Sequence, residues 1–394
     1  MDRCFLFGNE GASSLRLSAR GIAPFRGPPG EVTVISRRRF ALACVGVLAV
    51  TAVLMACPAS PVRATLPHSA TSWQRLFMGT HNRSWSGSDG SHSTLLPDGR
   101  DVVLYSDTFS GSVTSTGARG RDTTLLPNSM GLVSGNSVTW INRPGHPAIP
   151  NASDGTSYWP EAAVAVGNYL YVFTNHVHET GGALSDIHVL GQSVVTFDTR
   201  TWALVSNATI PGSSGRGIWW SAGATVSGSY CYMYGVRLDD STAWGRSVYV
   251  ARAPLSGIGL FSTWRFWNGS GWTANRSLGT GARLIDSQAD TVVSVWNRGA
   301  RWYLVTQKYG FFGRNIELWT ASSPRGPWRD TRVLYTIPKS PYPDASCYEG
   351  AAHPEVPLSS GRLLLSYSRN GSWQHVNADA NWYQPQYVEA SLGG

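Results

Sequence analysis

Acidic side chains recur in this chain beside cations and indole rings, at positions a repeating fold would gather into one place. The acids are Asp89, Asp107, Glu161, Asp290 and Glu355; the companions are His176, Arg237, Lys308, His353 and Arg369. Carboxyl groups converging with Arg, Lys and His suit acid–base work on a glycosidic bond. One carboxylic acid protonates the leaving oxygen, while a second carboxylate acts as nucleophile or activates water. Crowding raises the pKa of one carboxyl, and a neighbouring cation holds another ionised. Trp85, Trp159, Trp219 and Trp220 stand near these positions and offer flat faces to sugar rings. Packing between structural units is the competing reading for each indole.

The elements that must position these groups read as strands. From Trp73 onward no helical period is sustained; short runs of Val, Tyr, Trp, Phe and Leu are broken by Gly, Asn, Ser and Asp. A unit recurs: a small or apolar strand, a turn carrying Gly, a strongly apolar strand, then a further strand ending near a Trp. The first unit spans Asp89 to Trp140, turning at Leu96-Pro97-Asp98-Gly99 into Val102–Thr108. The second pairs Glu161–Val166 with Tyr169–Thr174, and the third pairs Ser221–Val226 with Tyr230–Val236. The fourth pairs Asp290–Trp296 with Trp302–Gln307, and the last pairs His353–Pro357 with Arg362–Ser368. This predicts an all-β, five-bladed β-propeller over residues 65–394. A two-sheet sandwich is the alternative, but it does not predict the repeated hairpin.

Blade geometry turns the repeat into a site. The innermost strand of each blade lines the channel and the second runs back antiparallel. The start of the first and the end of the second therefore share one face. Asp89, Glu161, Ser221, Asp290, and His353 with Glu355 fall at the starts; Asp107, His176, Arg237, Lys308 and Arg369 fall at the ends. Asp89, Asp107 and Glu161 are the expected catalytic residues. Glu355, His353, His176, Arg237, Asp290, Lys308, Arg369, Trp159, Trp219 and Trp220 are expected to bind substrate. Each acid has a plainer role to compete with. Asp98 belongs to a Pro-Asp-Gly turn and is structural; Asp89 and Asp107 could cap turns. Glu161 interrupts a small, apolar strand, where a carboxylate is costly to bury without purpose. Glu349 and Glu355 flank His353, and one of the three is expected to face the channel.

The chain has 394 residues, 32 Lys and Arg against 24 Asp and Glu. Residues 1–64 hold eight Arg and three acids, leaving 24 basic and 21 acidic residues beyond them. The basic balance is therefore partly a property of the leader, and nucleic-acid binding is not expected. His176 and His178 share a strand face and could ligate zinc, but no third ligand has a diagnostic spacing, so no metal is expected. There is no phosphate loop, dinucleotide fingerprint or nucleophile elbow, and no cofactor is expected. A monomer acting on a polysaccharide is the expected form.

Arg37-Arg38-Arg39-Phe40 precedes an apolar run from Ala41 to Ala56, which reads as a twin-arginine export signal over residues 34–64. That run is shorter than the roughly 20 residues a spanning helix needs. Residues 1–33 read as neither signal nor domain, with the start expected near Val32 or Val34. Leu54-Met55-Ala56-Cys57 resembles a lipobox that would anchor the protein through Cys57; Val62-Arg63-Ala64 offers a competing site that would release it. Cys231 and Cys347 lie beyond the leader, and could pair in an oxidising compartment or sit as small buried residues.

Two stretches carry a family resemblance. Asp89-Gly90-Ser91, Leu96-Pro97-Asp98-Gly99-Arg100 and Tyr105-Ser106-Asp107-Thr108-Phe109, followed by Asn128-Ser129-Met130, resemble the opening blade of a group of exported five-bladed propellers. His353-Pro354-Glu355, with Gly361 and Leu365-Ser366-Tyr367-Ser368-Arg369-Asn370, resembles their closing blade. The group was long described as domains of unknown function, and some members are endo-D-arabinanases that cut mycobacterial-type arabinan. The resemblance implies an essential acid matching Asp89, a second-strand acid matching Asp107, and a blade-two acid matching Glu161. Where related families place an acid on blade three, this chain has Ser221. The resemblance therefore implies a glycoside hydrolase with its general acid among Glu161, Asp107 and Glu355; a non-catalytic glycan-binding propeller is the alternative.

Overall fold

The computed structural model describes residues 65–78, 84–181, 186–212, 217–238, 244–340, 342–359 and 361–392. The leader, Cys57 and both candidate processing sites lie outside the described residues. Two short helices correct the expectation of strands alone: α1 (Ala70–Met78) and α2 (Trp373–Ala378). In α1, Trp73, Leu76 and Phe77 fall on one buried face at helical spacing, and Ser69 accepts from the Ser72 amide at 3.1 Å to cap its start. So brief a stripe offers little period to read.

The rest of the described chain forms five antiparallel blades. β1 (His92–Leu95) and β2 (Asp101–Tyr105) open blade one. The chain leaves as a side hairpin, β3 (Thr108–Ser110) and β4 (Thr124–Leu126), and returns as β5 (Ser129–Ser134) and β6 (Ser137–Trp140). Blade two is β7 (Ser157–Val166), β8 (Tyr169–Glu179), β9 (Ile187–Asp198) and β10 (Ala203–Ile210). Blade three is β11 (Trp219–Ser227), β12 (Tyr230–Leu238), β13 (Arg246–Pro254), β14 (Arg265–Trp267) and β15 (Trp272–Thr273), with β16 (Ile285–Ala289) added against β13. Blade four is β17 (Ser294–Arg298), β18 (Arg301–Gln307), β19 (Asn315–Ala321) and β20 (Arg329–Thr336). Blade five has three strands, β21 (Ser346–His353), β22 (Arg362–Asn370) and β23 (Gln386–Ser391).

The repeat rests on turn chemistry and on packing. The inner hairpins of blades two, three and four turn through two-residue loops whose first residue is Gly167, Gly228 or Gly299, at φ of 58°, 58° and 60°. A side chain there would meet the left-handed penalty that glycine avoids. Apolar side chains of adjacent blades then fill each gap: Val102, Met130 and Val172 between blades one and two, Phe173, Met233 and Phe266 between two and three. Tyr234 and Trp302 pack between three and four, Ile316 and Leu365 between four and five. The last gap, from blade five to blade one, is closed by α1. Trp73 and Phe77 pack with Tyr105 and Tyr387, and the Ala70 and Tyr387 amides donate to Glu389 Oε1 at 3.0 Å and Gln74 Oε1 at 2.9 Å. Each such buried side chain contributes about 1.5–3 kcal/mol relative to exposure.

Three inner strands share a defect that matters for the site. The β7–β8 register slips between Pro160 and Ala162, β11–β12 between Trp219 and Gly223, and β21–β22 between Tyr348 and Ala351. Such bulges re-aim side chains locally. They fall on Glu161, Ser221 and Glu349, all toward the start of the inner strand. The register of β21 also corrects the expected fifth unit. His353 pairs with Leu364 at the end of the inner strand rather than its beginning, because the start of β21 pairs as Ser346 with Asn370. The Val356–Ser359 stretch is part of the connecting loop, not of the strand.

Candidate active site

Asp89 and Asp107 are joined before their side chains are considered. The Asp89 amide donates to the Asp107 carbonyl, and the Ser106 amide to the Asp89 carbonyl, each at 3.1 Å. These bonds extend blade one toward the start of β1 and hold both carboxyls on the same rim. Both residues are half-buried. Tyr348, at the β21 bulge, donates its hydroxyl to Asp89 Oδ2 at 2.7 Å, and the Tyr383 hydroxyl also bonds that carboxylate. Asp107 Oδ1 accepts from the Trp159 indole at 3.0 Å, so an indole edge of blade two fixes an acid of blade one. Just upstream, Gly87 has φ of 138°, and a Cβ there would strike the Arg119 guanidinium and the Tyr383 carbonyl. Only glycine lets the segment approach so closely.

Glu161 lies on the floor of this arrangement, 5% exposed. Its Oε1 accepts from Asn175 Nδ2 at 2.7 Å, while Oε2 is enclosed and has no hydrogen-bond partner. Asn175 is itself fixed, since its Oδ1 accepts from Ser221 Oγ at 2.8 Å and Gln192 Nε2 at 3.2 Å. The blade-three serine thus orients the amide that holds the blade-two acid. Across the channel Glu349 is half-buried at φ of 57°, a left-handed conformation uncommon for a non-glycine residue. Two neighbours brace that bulge: Asp290 Oδ2 accepts from the Glu349 amide at 3.1 Å, and Gln307 Oε1 from the Gly350 amide at 3.1 Å. Arg246, half-buried and 5.4 Å from the Trp219 ring centre, supplies positive charge to Glu161 and Asp290.

Burial drives the protonation pattern. It lifts Asp89 to about 6 against the opposing hydrogen bonds from Tyr348 and Tyr383. Asp107 is held well above the usual carboxyl range, first by burial and then by the charge on Asp89. Burial lifts Glu161 to about 8, with Asn175 and Arg246 opposing, and it pushes Glu349 well up, reinforced by Asp89 and Glu161. Asp290 is raised by burial, with the Thr291 amide and Arg246 opposing. At neutral pH Asp89, at about 6, is therefore mostly ionised and Glu161, at about 8, mostly protonated, while burial shifts Asp107 and Glu349 toward the protonated form. Environments that separate neighbouring carboxyls in this way divide them into proton acceptor and proton donor. Among the described residues no group of three or more His, Cys, Asp or Glu is arranged to hold a metal ion.

The profile of a domain of unknown function, DUF5005, matches residues 71–391, which is nearly the whole described chain. The chain belongs to the DUF5005 family. No protein with a curated description matches it. A solved structure of a hydrolase candidate from Bacteroides ovatus superposes with a TM-score of 0.65 at 20% identity, covering 82% of this chain and 89% of that one. It shows the same propeller fold. The GH43_1 enzyme from Xanthomonas citri complexed with xylose gives 0.47 at 14% identity, covering 81% and 92%. An α-L-arabinofuranosidase from Podospora anserina gives 0.43 at 12% identity, covering 84% and 94%.

In this DUF5005 domain the sequence expectations divide cleanly. Asp89, Asp107, Glu161, Asp290, Trp159 and Trp219 do come together. Tyr348, Glu349, Tyr383, Arg246 and Asn175 join them without having been singled out for the site, apart from Glu349 as one of three options. The sequence did carry a signal for Glu349: Glu349-Gly350-Ala351-Ala352 repeats the acid-plus-small-residue start of β7, Glu161-Ala162-Ala163.

Several expected residues lie elsewhere. Arg237 turns to the Tyr249 hydroxyl at 2.5 Å and the Leu278 carbonyl at 3.5 Å, in a depression lined by Trp220 and Arg276. Trp220 is buried against Phe266, and Trp85 is buried against Trp140, so both pack rather than bind. Lys308 pairs with Glu317 at 3.2 Å. Arg369 donates to the Asn381 carbonyl at 2.7 Å and lies 4.6 Å from the Trp382 ring centre. His176 contacts Thr156 Oγ1 at 2.5 Å and stacks on Tyr158, while His178 is exposed. Cys231 and Cys347 are both free thiols.

His353 and Glu355 are the largest correction. Because β21 ends at His353, they stand at the far end of the channel, beside His92, Ser93 and Asp101. Ser93 Oγ donates to Glu355 Oε1 and lies 2.5 Å from His353 Nδ1. Burial pushes His92 down to about 4 and His353 to about 3, and raises Asp101 far up, with the Glu355 charge adding to the rise. A cavity of about 400 Å³ runs through the channel between the two ends, touching Glu161 at one and Glu355 at the other. Its walls are mostly the small residues of the inner strands, such as Ala163, Ala165, Ala224 and Ala352.

Proposed function

We propose that this DUF5005 protein is an exported glycoside hydrolase of the cell surface, acting on a furanose-rich wall polysaccharide of the arabinan type. The observation that carries the reading is the Asp89–Asp107 pair: two half-buried carboxyls on one rim, held by tyrosine hydroxyls and an indole, both raised by burial and Asp107 raised further by the Asp89 charge. In this reading Asp89 is the nucleophile or base and Asp107 the general acid. Asp107 has one oxygen fixed by Trp159, which leaves the other for the glycosidic oxygen. Glu161 is enclosed on the floor and Glu355 stands at the far end, so neither is placed as well to reach a leaving group. Glu161, Glu349 and Asp290 tune the pair, with Arg246 balancing their charge.

Trp159 and Trp219 offer half-exposed indoles beside these acids for sugar rings. The twin-arginine pattern of residues 34–64 supports export, with release or attachment through Cys57 set by which processing site is used. The arabinan substrate follows from the opening-blade and closing-blade resemblance.

Incubation with purified arabinogalactan, followed by chromatography of released oligosaccharides, tests the reading. Products from the parent and none from Asp89→Asn are expected. Binding without product in the parent would leave a glycan-binding propeller in its place.

A further inference from the structure

Between β22 and β23 blade five carries an insert that contains α2 and runs on to Pro385. The insert is fastened tightly to blade one. Arg119, a buried residue of the loop joining β3 to β4, donates its guanidinium to the carbonyls of Val376, Asp379 and Ala380 and to that of Ser86. Its amide donates to the Asn377 carbonyl at 2.9 Å, and its guanidinium lies 4.1 Å from the Phe109 ring centre. Val376 and Tyr383 of the insert are buried against Phe109 of blade one.

On this anchored base Trp373 is 66% exposed. The indole is thus open to water on a segment that the Arg119 bonds hold in place. It also connects with the acid pair through contiguous rings. Trp373 stands 5.7 Å from Phe109, Phe109 meets Tyr383 edge-on at 5.3 Å, and the Tyr383 hydroxyl bonds Asp89. Phe109 follows Asp107 by two residues. On the same insert, His375 lies 4.8 Å from Tyr342, which is 44% exposed and edge-on to Trp382 at 5.0 Å.

We propose that Trp373, with Tyr342 near it, forms a distal carbohydrate subsite that holds further sugar units of the polysaccharide cut at Asp89 and Asp107. This deepens the hydrolase reading and rests on it. Two exposed rings, one on the insert and one packed against it, are far less than the roughly 800 Å² per side that a stable protein partner covers. They suit the C–H faces of successive sugars in a chain leaving the cleft. The subsite makes the enzyme favour polymer over short oligosaccharide.

The test compares the full chain with Trp373→Ala and Trp373→Phe. Retardation in a gel containing D-arabinan reads binding, and KM on the polymer and on a short arabino-oligosaccharide reads its use. Trp373→Ala is expected to lose retardation and to raise KM on the polymer about 10-fold, with kcat and the oligosaccharide KM unchanged, and Trp373→Phe to restore most of the effect. Equal retardation of parent and Trp373→Ala would overturn the subsite, as would an equal KM rise on both substrates. A parent that is retarded but cuts neither substrate would instead overturn the hydrolase reading, while loss of that retardation in Trp373→Ala would still support the subsite. Since Trp373 is so exposed, thermal unfolding of all three proteins should coincide.

Discussion

The channel has an acid cluster at each end, and the two are built to opposite purposes. At the Asp89 end Asp89, Asp107 and Glu349 are half-buried over the buried Glu161 and Asp290, edged by Trp159 and Trp219, and Asp89 and Asp107 are hydrogen-bonded by tyrosines and an indole from other blades. At the far end Asp101 has no measurable exposure, and Glu355 and His353 are closed upon each other through Ser93. Both clusters have raised carboxyl pKa values, so a raised pKa alone does not mark a reactive centre. Aromatic edges and hydrogen bonds from other blades distinguish the first. The second reads as a polar linkage between blades one and five, with Glu355 half-buried at the edge of the cavity.

Substitutions can break this comparison. The largest effect is expected from Asp89→Asn and Asp107→Asn, each lowering kcat by about 10²–10⁴-fold, the usual range for a group that gives or takes a proton in the transition state. Steady-state kinetics on arabinan would show it. Glu161→Gln keeps an acceptor for Asn175 but removes the floor acid, and a smaller loss of about 10-fold in kcat is expected. Glu355→Gln at the far end should leave kcat within about 2-fold of the parent and act on stability instead, by about 1–3 kcal/mol in urea unfolding, because it disturbs buried hydrogen bonds. If Glu355→Gln cost as much activity as Asp107→Asn, the division between the two ends would collapse.

The pH dependence sharpens the same contrast. Asp89 must lose its proton to act, so kcat/KM should rise as pH passes upward through about 6. Stability moves the other way. Burial raises Glu161 from 4.5 to about 8, so between those values the folded chain binds more protons than the unfolded chain. Stability from this group therefore falls as pH rises across that window. Glu161→Gln should flatten that part of the decline in Tm between about pH 5 and pH 8.

Much of the fold was legible because its cause is local. Gly167, Gly228 and Gly299 announce the inner hairpins, and the alternation around them assigns strands and blades. Asp89, Asp107 and Glu161 were legible because a charge interrupts a turn or an apolar strand at equivalent places in the repeat. What stayed hidden depends on contacts between distant segments. Arg246 begins the third strand of its blade, and nothing local tells that its charge serves Glu161 and Asp290. Tyr383 reaches Asp89 from an insert almost three hundred residues away along the chain. His353 and Glu355 lie one strand length from where the sequence suggests, since the run from His353 to Pro357 resembles a strand start but begins where β21 ends. The register of β21 with β22, which corrects them, is set by pairing that the sequence of β21 alone does not state. Ser221 stands where the sequence leads one to expect an acid; its place on Asn175 makes it part of the support for Glu161.

The most direct test assays the parent, Asp107→Asn and Glu355→Gln side by side for new reducing ends released from purified D-arabinan at neutral pH. Release by the parent and by Glu355→Gln, with none from Asp107→Asn, is the predicted result. A parent that releases nothing, or an Asp107→Asn variant that matches it, would contradict the account.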